Sequence, residues 1–230
     1  MRNYLIIGGS SGIGEAITQQ LNAEGHRVYA TYCKHLQQDR ENISYHRMDV
    51  MEDTLDLSFL PETIDGFVYC VGNILLKPFH RIGVDDFQKD YQLQVLGAVK
   101  ILQQLLPNLK NAVQPAVVMF STVAVQTGFT FHSLVSASKG AIEGLTRALA
   151  AEWTPKIRVN CIAPSITNTP LASSLLNTPE KIEATAQRHP MKKIGAPEDL
   201  AAMACFLLSD SAQWMTGQVL HVDGGMSSIR

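Results

Sequence analysis

Basic residues are too few in this sequence to mark a nucleic-acid-binding protein. Nineteen Lys and Arg stand against twenty-one Asp and Glu, which gives a formal net charge of −2 at pH 7. Because a surplus of positive side chains is needed to neutralise a phosphate backbone, we expect no nucleic-acid partner. Long apolar runs are also missing. The longest, Leu200–Leu208, is far shorter than the ~20 residues of a membrane helix, so we expect no membrane partner.

Paired cysteines are absent, and the N-terminus predicts no leader segment. Cys33, Cys70, Cys161 and Cys205 form no Cys-x-x-Cys pair, which argues against a metal site and a redox disulfide. The chain runs from Met1 into a strand-like segment without the apolar core and cleavage site of a signal peptide. We therefore expect a soluble, reduced, cytoplasmic protein that binds no metal.

Short apolar runs alternate with amphipathic stretches along the chain. Runs of this length are typical of strands covered on both faces, and the stretches between them are typical of helices. This alternation predicts an α/β fold with a doubly wound parallel sheet. The chain of 230 residues is 46% hydrophobic and shows no repeat or linker, so we expect one domain over residues 1–230. The predicted strands are Tyr4–Ile7, Arg27–Tyr32, Ile43–Met48, Gly66–Val71, Ala116–Phe120, Ile157–Ile162 and Gln218–Val222, and the predicted helices are Ile13–Glu24, Phe87–Leu109, Ser133–Trp153 and Pro197–Leu208.

A glycine-rich bend joins the first predicted strand to the first predicted helix. Glycines at such a junction allow a tight turn that brings backbone N–H groups and a helix N-terminus against a pyrophosphate. The spacing is Gly-x-x-x-Gly-x-Gly, which differs from the Gly-x-Gly-x-x-Gly of many dinucleotide sites. We predict that a dinucleotide contacts Gly8, Ser10, Ser11, Gly12, Ile13 and Gly14.

The ends of the second and third predicted strands bear on which dinucleotide binds. Tyr32 and Lys34 lie at the end of the second strand, where no acid stands to accept from a ribose 2′-hydroxyl. Lys34 favours a 2′-phosphate, and so NADP over NAD, although a solvated loop charge explains it almost as well. Asp49 and Val50 follow the third strand, and Asp49 is either an adenine contact or an ordinary turn residue.

Three further segments complete a family resemblance that covers nearly the whole chain: Arg158–Ser165, Pro197–Ala201 and Thr216–Gly225. Together with the glycine bend and Met48–Val50, they resemble motifs of the short-chain dehydrogenase/reductase family, nearest to its 3-oxoacyl-carrier-protein reductase type. Of these segments, Arg158–Ser165 matches the family's Arg-Val-Asn-x-Ile-x-Pro-Gly stretch. The resemblance implies a seven-stranded Rossmann-type sheet, binding of NAD(H) or NADP(H), and a homo-oligomer, either a dimer or a tetramer.

The resemblance also assigns catalytic positions. The family's Lys falls on Lys139, where it would bind the coenzyme ribose and supply positive charge. Its Ser falls on Thr122 and its Asn on Gln94. Thr122 is either a hydroxyl at the substrate oxygen or the end of a strand, and Gln94 either holds a water or is an ordinary polar residue of a helix. The family's Tyr, four residues before the Lys, falls on Val135.

Val135 leaves the expected reaction without its usual acid. Hydride addition to a carbonyl leaves an alkoxide that must be protonated, and valine has no proton to give. His132 shares a helix face with Val135 and Lys139, and the related enoyl-carrier-protein reductases carry their Tyr at the spacing of His132 from the Lys. His132 is therefore either an acid or hydrogen-bond donor, or an unreactive residue at the helix start.

Other positions of the resemblance concern the coenzyme and the substrate. Cys70 and Gly72 lie in the coenzyme turn after the fourth strand, and Pro164 follows the sixth. Thr169 is expected at the nicotinamide amide, as a helix N-cap before Pro170, or as both. The segment at about 166–195 would form a lid over the substrate. Its apolar residues, which either contact an apolar substrate or face each other in two lid helices, are Leu171, Leu175, Leu176, Ile182 and Met191.

Three functions stay open on this basis. The first is NADP(H)-dependent reduction of a carbonyl, with Thr122, His132 or a water in place of the missing phenol. The second is conjugate reduction of an enone, in which His132 polarises the oxygen. The third is a nucleotide-binding protein that keeps the fold without activity.

Overall fold

A computed structural model of the chain describes residues 1–229. It is a single α/β domain built on a seven-stranded parallel sheet of order β3-β2-β1-β4-β5-β6-β7. The strands are β1 Asn3–Ile7, β2 Arg27–Tyr32, β3 Ile43–Arg47, β4 Gly66–Tyr69, β5 Ala116–Phe120, β6 Arg158–Pro164 and β7 Val219–Val222. The α-helices are α1 Gly12–Ala23, α2 Val84–Tyr91, α3 Gly97–Asn111, α4 Ala124–Thr127, α5 Ser133–Trp153, α6 Pro179–Arg188 and α7 Pro197–Leu208. The doubly wound, Rossmann-type fold expected from the sequence is confirmed.

The strand predictions hold to within a few residues at each end. β4 ends at Tyr69 rather than at Val71, and β6 continues beyond Ile162 to Pro164. All five residues of β5 are buried, because helices cover both faces of the sheet. One apolar layer packs α3 and α5 against the sheet, and the other packs α1 and α7. Within residues 1–229, no helix is both long and apolar enough to cross a membrane.

The single helix predicted over Phe87–Leu109 is wrong in one respect. A π-helical turn, Gln92–Leu96, separates α2 from α3. The buried Tyr69 hydroxyl donates a 2.6 Å hydrogen bond to the Leu93 carbonyl, which diverts that carbonyl from the regular helical pattern. The apolar periodicity of the sequence carries no sign of this bond. The consequence is that Gln94 lies fully buried in the bend.

The strand order reverses between β1 and β4, since β2 and β3 lie on one side of β1 and β4 to β7 lie on the other. Ligands of open α/β sheets bind at the carboxyl ends of the strands beside such a point. Gly8 follows β1 and Cys70 follows β4, and the Cys70 N–H donates to the Ile7 carbonyl at 2.9 Å. The fold thus brings together the glycine bend and the expected coenzyme turn.

Candidate active site

The glycine bend after β1 is folded tightly on itself. Gly8 and Gly12 have φ of +78° and +54°, a backbone region that residues other than glycine rarely adopt. A Cβ on Gly14 would overlap the Gly8 carbonyl, so the two glycines are in contact. Ser10 is buried, and Ser11 and Ile13 are half-buried. The six residues predicted to contact a dinucleotide therefore form one compact turn.

The N-terminus of α1 opens onto this bend. Ser11 is extended, and no side chain caps the helix. Free N–H groups at a helix start attract an anion. Thr169 lies close to the same bend, because its Cγ2 is 3.2 Å from the point that a Gly12 Cβ would occupy. Thr169 takes the N-cap position of the short turn Pro170–Ala172, but its hydroxyl donates to the Thr167 carbonyl at 3.4 Å instead of capping.

The expected coenzyme turn after β4 and the end of β6 both lie where the strands of the sheet have their carboxyl ends. Gly8 packs against the turn, since a Cβ on Gly8 would stand 3.4 Å from the Cys70 carbonyl carbon. Burial raises the pKa of the Cys70 thiol to about 12, so the thiol stays protonated. Pro164 ends β6, and its carbonyl accepts from the Val123 N–H at 3.1 Å.

Lys139 is a buried cation on α5, with 8% of its surface exposed. Burial lowers the pKa of this ammonium, while nearby Cys161, Asp90 and Cys70 act to raise it. Within the described residues, no carboxylate forms an ion pair with Lys139. Its Nζ and the Gln94 Oε1 lie 3.8 and 3.5 Å from the point that a Gly72 Cβ would occupy. The absence of a side chain at Gly72 therefore leaves a small space that both groups face.

Gln94 belongs to a buried hydrogen-bond network that was not predicted from the sequence. Its Nε2 donates to the Asp90 Oδ2 at 2.7 Å, and the Ser138 hydroxyl donates to the same oxygen at 2.6 Å. The Asp90 Oδ1 and the Gln94 Oε1 are buried without a hydrogen-bond partner. Gln94 is thus not a fully satisfied helix residue. The four-residue spacing of Asp90 and Gln94 is the one sequence signal of this pair.

Two hydroxyls follow β5, and they face different ways. The Ser121 hydroxyl is buried and donates to the Glu143 Oε1 on α5 at 2.8 Å. Thr122 is half-buried, and its Oγ1 accepts from the Ala124 N–H at 3.3 Å, which leaves the hydroxyl proton available. Ser121 is therefore engaged elsewhere, and Thr122 is the hydroxyl available at this strand end.

Val135 and His132 lie at the start of α5. Val135 is buried, with 8% exposed, and one helical turn separates it from Lys139. His132 takes the N-cap position and is half-buried, with its ring 5.5 Å from that of Phe129. Its Nδ1 lies 2.8 Å from the Thr130 carbonyl, which only accepts, so Nδ1 carries a proton and Nε2 is the free nitrogen. This position is compatible with both interpretations of His132, as an acid or hydrogen-bond donor and as an unreactive residue at the helix start.

A serine–histidine pair after β6 was not predicted. The Ser165 hydroxyl and the His189 Nε2 are 2.8 Å apart, and the His189 Nδ1 lies 3.0 Å from the Thr185 carbonyl. His189 is buried, with 2% exposed, and Ser165 is half-buried. The sequence signal was the serine that ends Arg158–Ser165, where the family resemblance expects glycine.

The predicted adenosine contacts lie at the ends of β2 and β3. Tyr32 ends β2 and is half-buried, and Lys34, two residues later, is exposed. The Asp49 Oδ1 accepts from the Met51 N–H at 3.0 Å, as expected of a turn residue. Val50 is buried, and its carbonyl accepts from the Lys100 Nζ at 2.8 Å. Lys34 is thus the one exposed cation among these four positions.

The segment at 166–195 contains one 3-10 turn, Pro170–Ala172, and one helix, α6, rather than two α-helices. Leu176 is buried, whereas Leu171, Ile182 and Met191 are exposed. These three side chains therefore do not form a buried apolar face within the segment. Over the part of the chain that the structure describes, no three His, Cys, Asp or Glu residues cluster as metal ligands.

Comparison with known proteins places this geometry in a family. A family model described as "Enoyl-(Acyl carrier protein) reductase" matches residues 8–227. A tropinone reductase homolog of Arabidopsis thaliana is 31% identical over 98% of this chain and 92% of its own. The 3beta-hydroxysteroid dehydrogenase 1 of Eggerthella lenta is 29% identical over 98% of this chain and 94% of its own. The solved structure of ElxO with NADP bound superposes with a TM-score of 0.88 at 26% identity, and the match covers 99% of both chains. The chain belongs to the short-chain dehydrogenase/reductase family of oxidoreductases.

Proposed function

We propose that this protein is an NADP(H)-dependent reductase of carbonyl compounds. The observation that carries the proposal is the buried, unpaired Lys139 at the sheet edge that also holds the glycine bend. A buried cation is costly unless it meets a partner, and within residues 1–229 no carboxylate lies within ion-pairing distance of Lys139. A ribose and a negatively charged diphosphate would give Lys139 and the start of α1 the partners that they lack.

The residues present fit such a coenzyme. The Gly14–Gly8 contact and the uncapped α1 would hold the diphosphate. Lys139 would bind the ribose hydroxyls, and Thr169 would contact the nicotinamide amide. Lys34 would face a 2′-phosphate, which is why we favour NADP, with NAD as the alternative. Support comes from ElxO, which is seen with NADP bound.

The reaction divides among few groups. When bound, the reduced coenzyme supplies a hydride to the carbonyl carbon. The Thr122 hydroxyl donates a hydrogen bond to the substrate oxygen, and the Lys139 ammonium stabilises the negative charge that develops there. The Gln94 Oε1, which is buried without a hydrogen-bond partner, and the Lys139 Nζ would hold a water between them in the space beside Gly72. The segment at 166–195 covers the substrate, and its exposed leucine and isoleucine favour an apolar or amphipathic one.

Conjugate reduction of an enone is the second candidate. The free Nε2 of His132, at the first turn of α5, favours it, because in this reaction the oxygen needs polarisation while a carbon accepts the hydride. A nucleotide-binding protein without turnover is the third reading. We also propose a homo-oligomer, a dimer or tetramer, which sedimentation of the purified chain would reveal.

One experiment separates these readings. NADPH oxidation is followed with tropinone, a 3-ketosteroid and an acetoacetyl thioester as ketones, and with a crotonyl thioester as the enone. Turnover of a ketone supports the proposal, and turnover of the enone alone replaces it with the second candidate. NADPH binding without turnover on any probe supports the third reading. His132→Phe should abolish enone turnover if the imidazole polarises the oxygen, and near-wild-type activity would remove that role.

A further inference from the structure

Ser165 and His189 form an oriented acid–base pair. A carbonyl only accepts, so the Thr185 oxygen, 3.0 Å from Nδ1, keeps a proton on that nitrogen whether the ring is neutral or charged. Nε2 is then the nitrogen that gains and loses a proton. Its partner, at 2.8 Å, is the Ser165 hydroxyl. The ring, which is 2% exposed, is thus held in one orientation by a third group, as in other serine–histidine pairs that transfer protons.

The pair lies at the edge of the sheet where the proposed reaction takes place. Ser165 is the first residue after β6. The Val123 N–H donates to the Pro164 carbonyl, and Pro164 pairs with Val222 on the other side. Continuing the pairing of Phe120 with Ile162 puts Ser165 beside Val123, the residue after Thr122, and the pairing of Pro164 with Val222 puts it beside Asp223 on the other side. Thr122 and Ser165 are both half-buried, and they follow the neighbouring strands β5 and β6.

Among the groups packed against His189, only the Ser165 hydroxyl forms a hydrogen bond with the His189 Nε2 in the described residues. A Cβ on Gly224 would lie 3.5 Å from the ring Cδ2, so the segment after β7 packs against the Cδ2 edge of the imidazole. The Asp223 carboxylate on that segment accepts from the Gly225 and Ser227 N–H groups at 2.8 and 2.9 Å. Arg188, next to His189 in the chain, and Lys192, three residues after it, are exposed, and the Lys192 Nζ donates to the Gln187 carbonyl.

We propose that Ser165 is the catalytic proton donor of this enzyme and that His189 recharges it. This inference rests on the proposed carbonyl reduction, whose usual phenol position is occupied by Val135. As the carbonyl carbon accepts a hydride from the reduced nicotinamide coenzyme, the C=O π electron pair moves to the oxygen. That oxygen takes the Ser165 Oγ proton, and Oγ takes the Nε2 proton of the His189 imidazolium. The products are an alcohol, the oxidised coenzyme and a neutral imidazole. After the alcohol leaves, solvent returns a proton to Nε2 through the half-buried Ser165 hydroxyl.

The first test compares ketone reduction by NADPH in four variants, with the ketone probe that the wild type turns over fastest. Ser165→Ala and His189→Asn should each lower kcat about 100-fold or more, because a positioned acid contributes 10²–10⁴-fold. Ser165→Thr keeps the hydroxyl and should retain kcat within about tenfold. Ser44→Ala is the matched control, since it removes the Ser44–His46 bond of 3.1 Å on the edge strand β3, and it should leave kcat unchanged. The affinity for NADPH should stay the same in all four.

A second measurement does not depend on turnover. The ¹⁵N resonance of the His189 Nε2, assigned by its loss in His189→Asn, should move in Ser165→Ala and should also move when NADP⁺ is added to the wild type. An unmoved resonance on coenzyme addition means that Ser165 lies away from the bound nicotinamide, which overturns the proposal.

The outcomes separate the two claims. A folded Ser165→Ala that keeps half or more of the wild-type kcat overturns the role of Ser165 and leaves the carbonyl reductase intact. A wild type that fails to bind NADPH, or that binds it and reduces no ketone, overturns the proposed function and the role of Ser165 with it. Loss of kcat in Ser165→Ala with rescue in Ser165→Thr supports the pair.

Discussion

Gln94 donates a hydrogen bond of 2.7 Å to Asp90 inside the bend between α2 and α3. Ser138, the residue before Lys139 on α5, donates to the same Asp90 oxygen at 2.6 Å. One buried carboxylate therefore ties the bend to the helix that carries the proposed coenzyme-binding lysine. The network fixes where Gln94 and Lys139 stand relative to each other.

Asp90→Ala should destabilise the fold by about 2–4 kcal/mol, because two buried donors lose their acceptor. Asp85→Ala on the same helix is the control. Asp85 is exposed, so its loss should cost less than about 1 kcal/mol. Denaturant unfolding of both variants measures the difference. Equal stabilities would show that the Asp90 network contributes little.

Lys139→Met should be more stable than the wild type near neutral pH. Burial lowers the pKa of Lys139 below 10.5, so between the lowered pKa and 10.5 the unfolded chain holds a proton that the folded chain releases. Wild-type stability therefore gains from this group as pH rises through that window, and below it the folded chain bears the full cost of the buried charge.

The advantage of Lys139→Met should accordingly be largest below the lowered pKa and should shrink as pH rises from there towards 10.5. Lys110→Met, at an exposed position of α3, is the control and should show no such trend. Denaturant unfolding at several pH values provides the test. Coenzyme binding should weaken in Lys139→Met alone. A variant that is less stable than the wild type at neutral pH would contradict the assigned cost of burial.

Gly14→Ala should weaken NADPH binding strongly, because a Cβ there overlaps the Gly8 carbonyl and forces the bend open. Gly144→Ala is the matched control. Gly144 is an exposed glycine of α5 with nothing within 4 Å of the added methyl group, so the change should stabilise the helix by up to about 1 kcal/mol. Calorimetric titration with NADPH compares the two. Equal affinities would separate the bend from the coenzyme.

Val135→Tyr should raise the rate of ketone reduction about tenfold or more over Val135→Phe. Of the two introduced rings, only the tyrosine phenol can donate a proton, and the Lys139 charge lowers the pKa of that phenol. The Phe variant controls for the volume of the ring at a position that is 8% exposed. Steady-state rates with NADPH measure the gain. If the two variants react equally, the pocket around α5 does not present position 135 to the substrate.

The strands and most helices can be predicted from the sequence, because the spacing of their apolar residues is a local property. The π-helical turn cannot be predicted in this way, because it depends on a long-range bond from Tyr69 to Leu93. The same distinction applies to the site. The glycine bend can be predicted from the spacing of Gly8, Gly12 and Gly14. Ser165 and His189 are 24 residues apart in sequence, and only the fold brings them into contact. The full burial of Gln94 likewise follows from that turn.

The central claim is that a reduced nicotinamide dinucleotide binds at the glycine bend and Lys139. Isothermal titration of the purified protein with NADPH and then with NADH tests it most directly. We predict saturable binding, tighter for NADPH than for NADH, that Gly14→Ala and Lys139→Met both weaken and that Gly144→Ala leaves unchanged. An absence of heat with both dinucleotides, or binding that none of these substitutions alters, would contradict it.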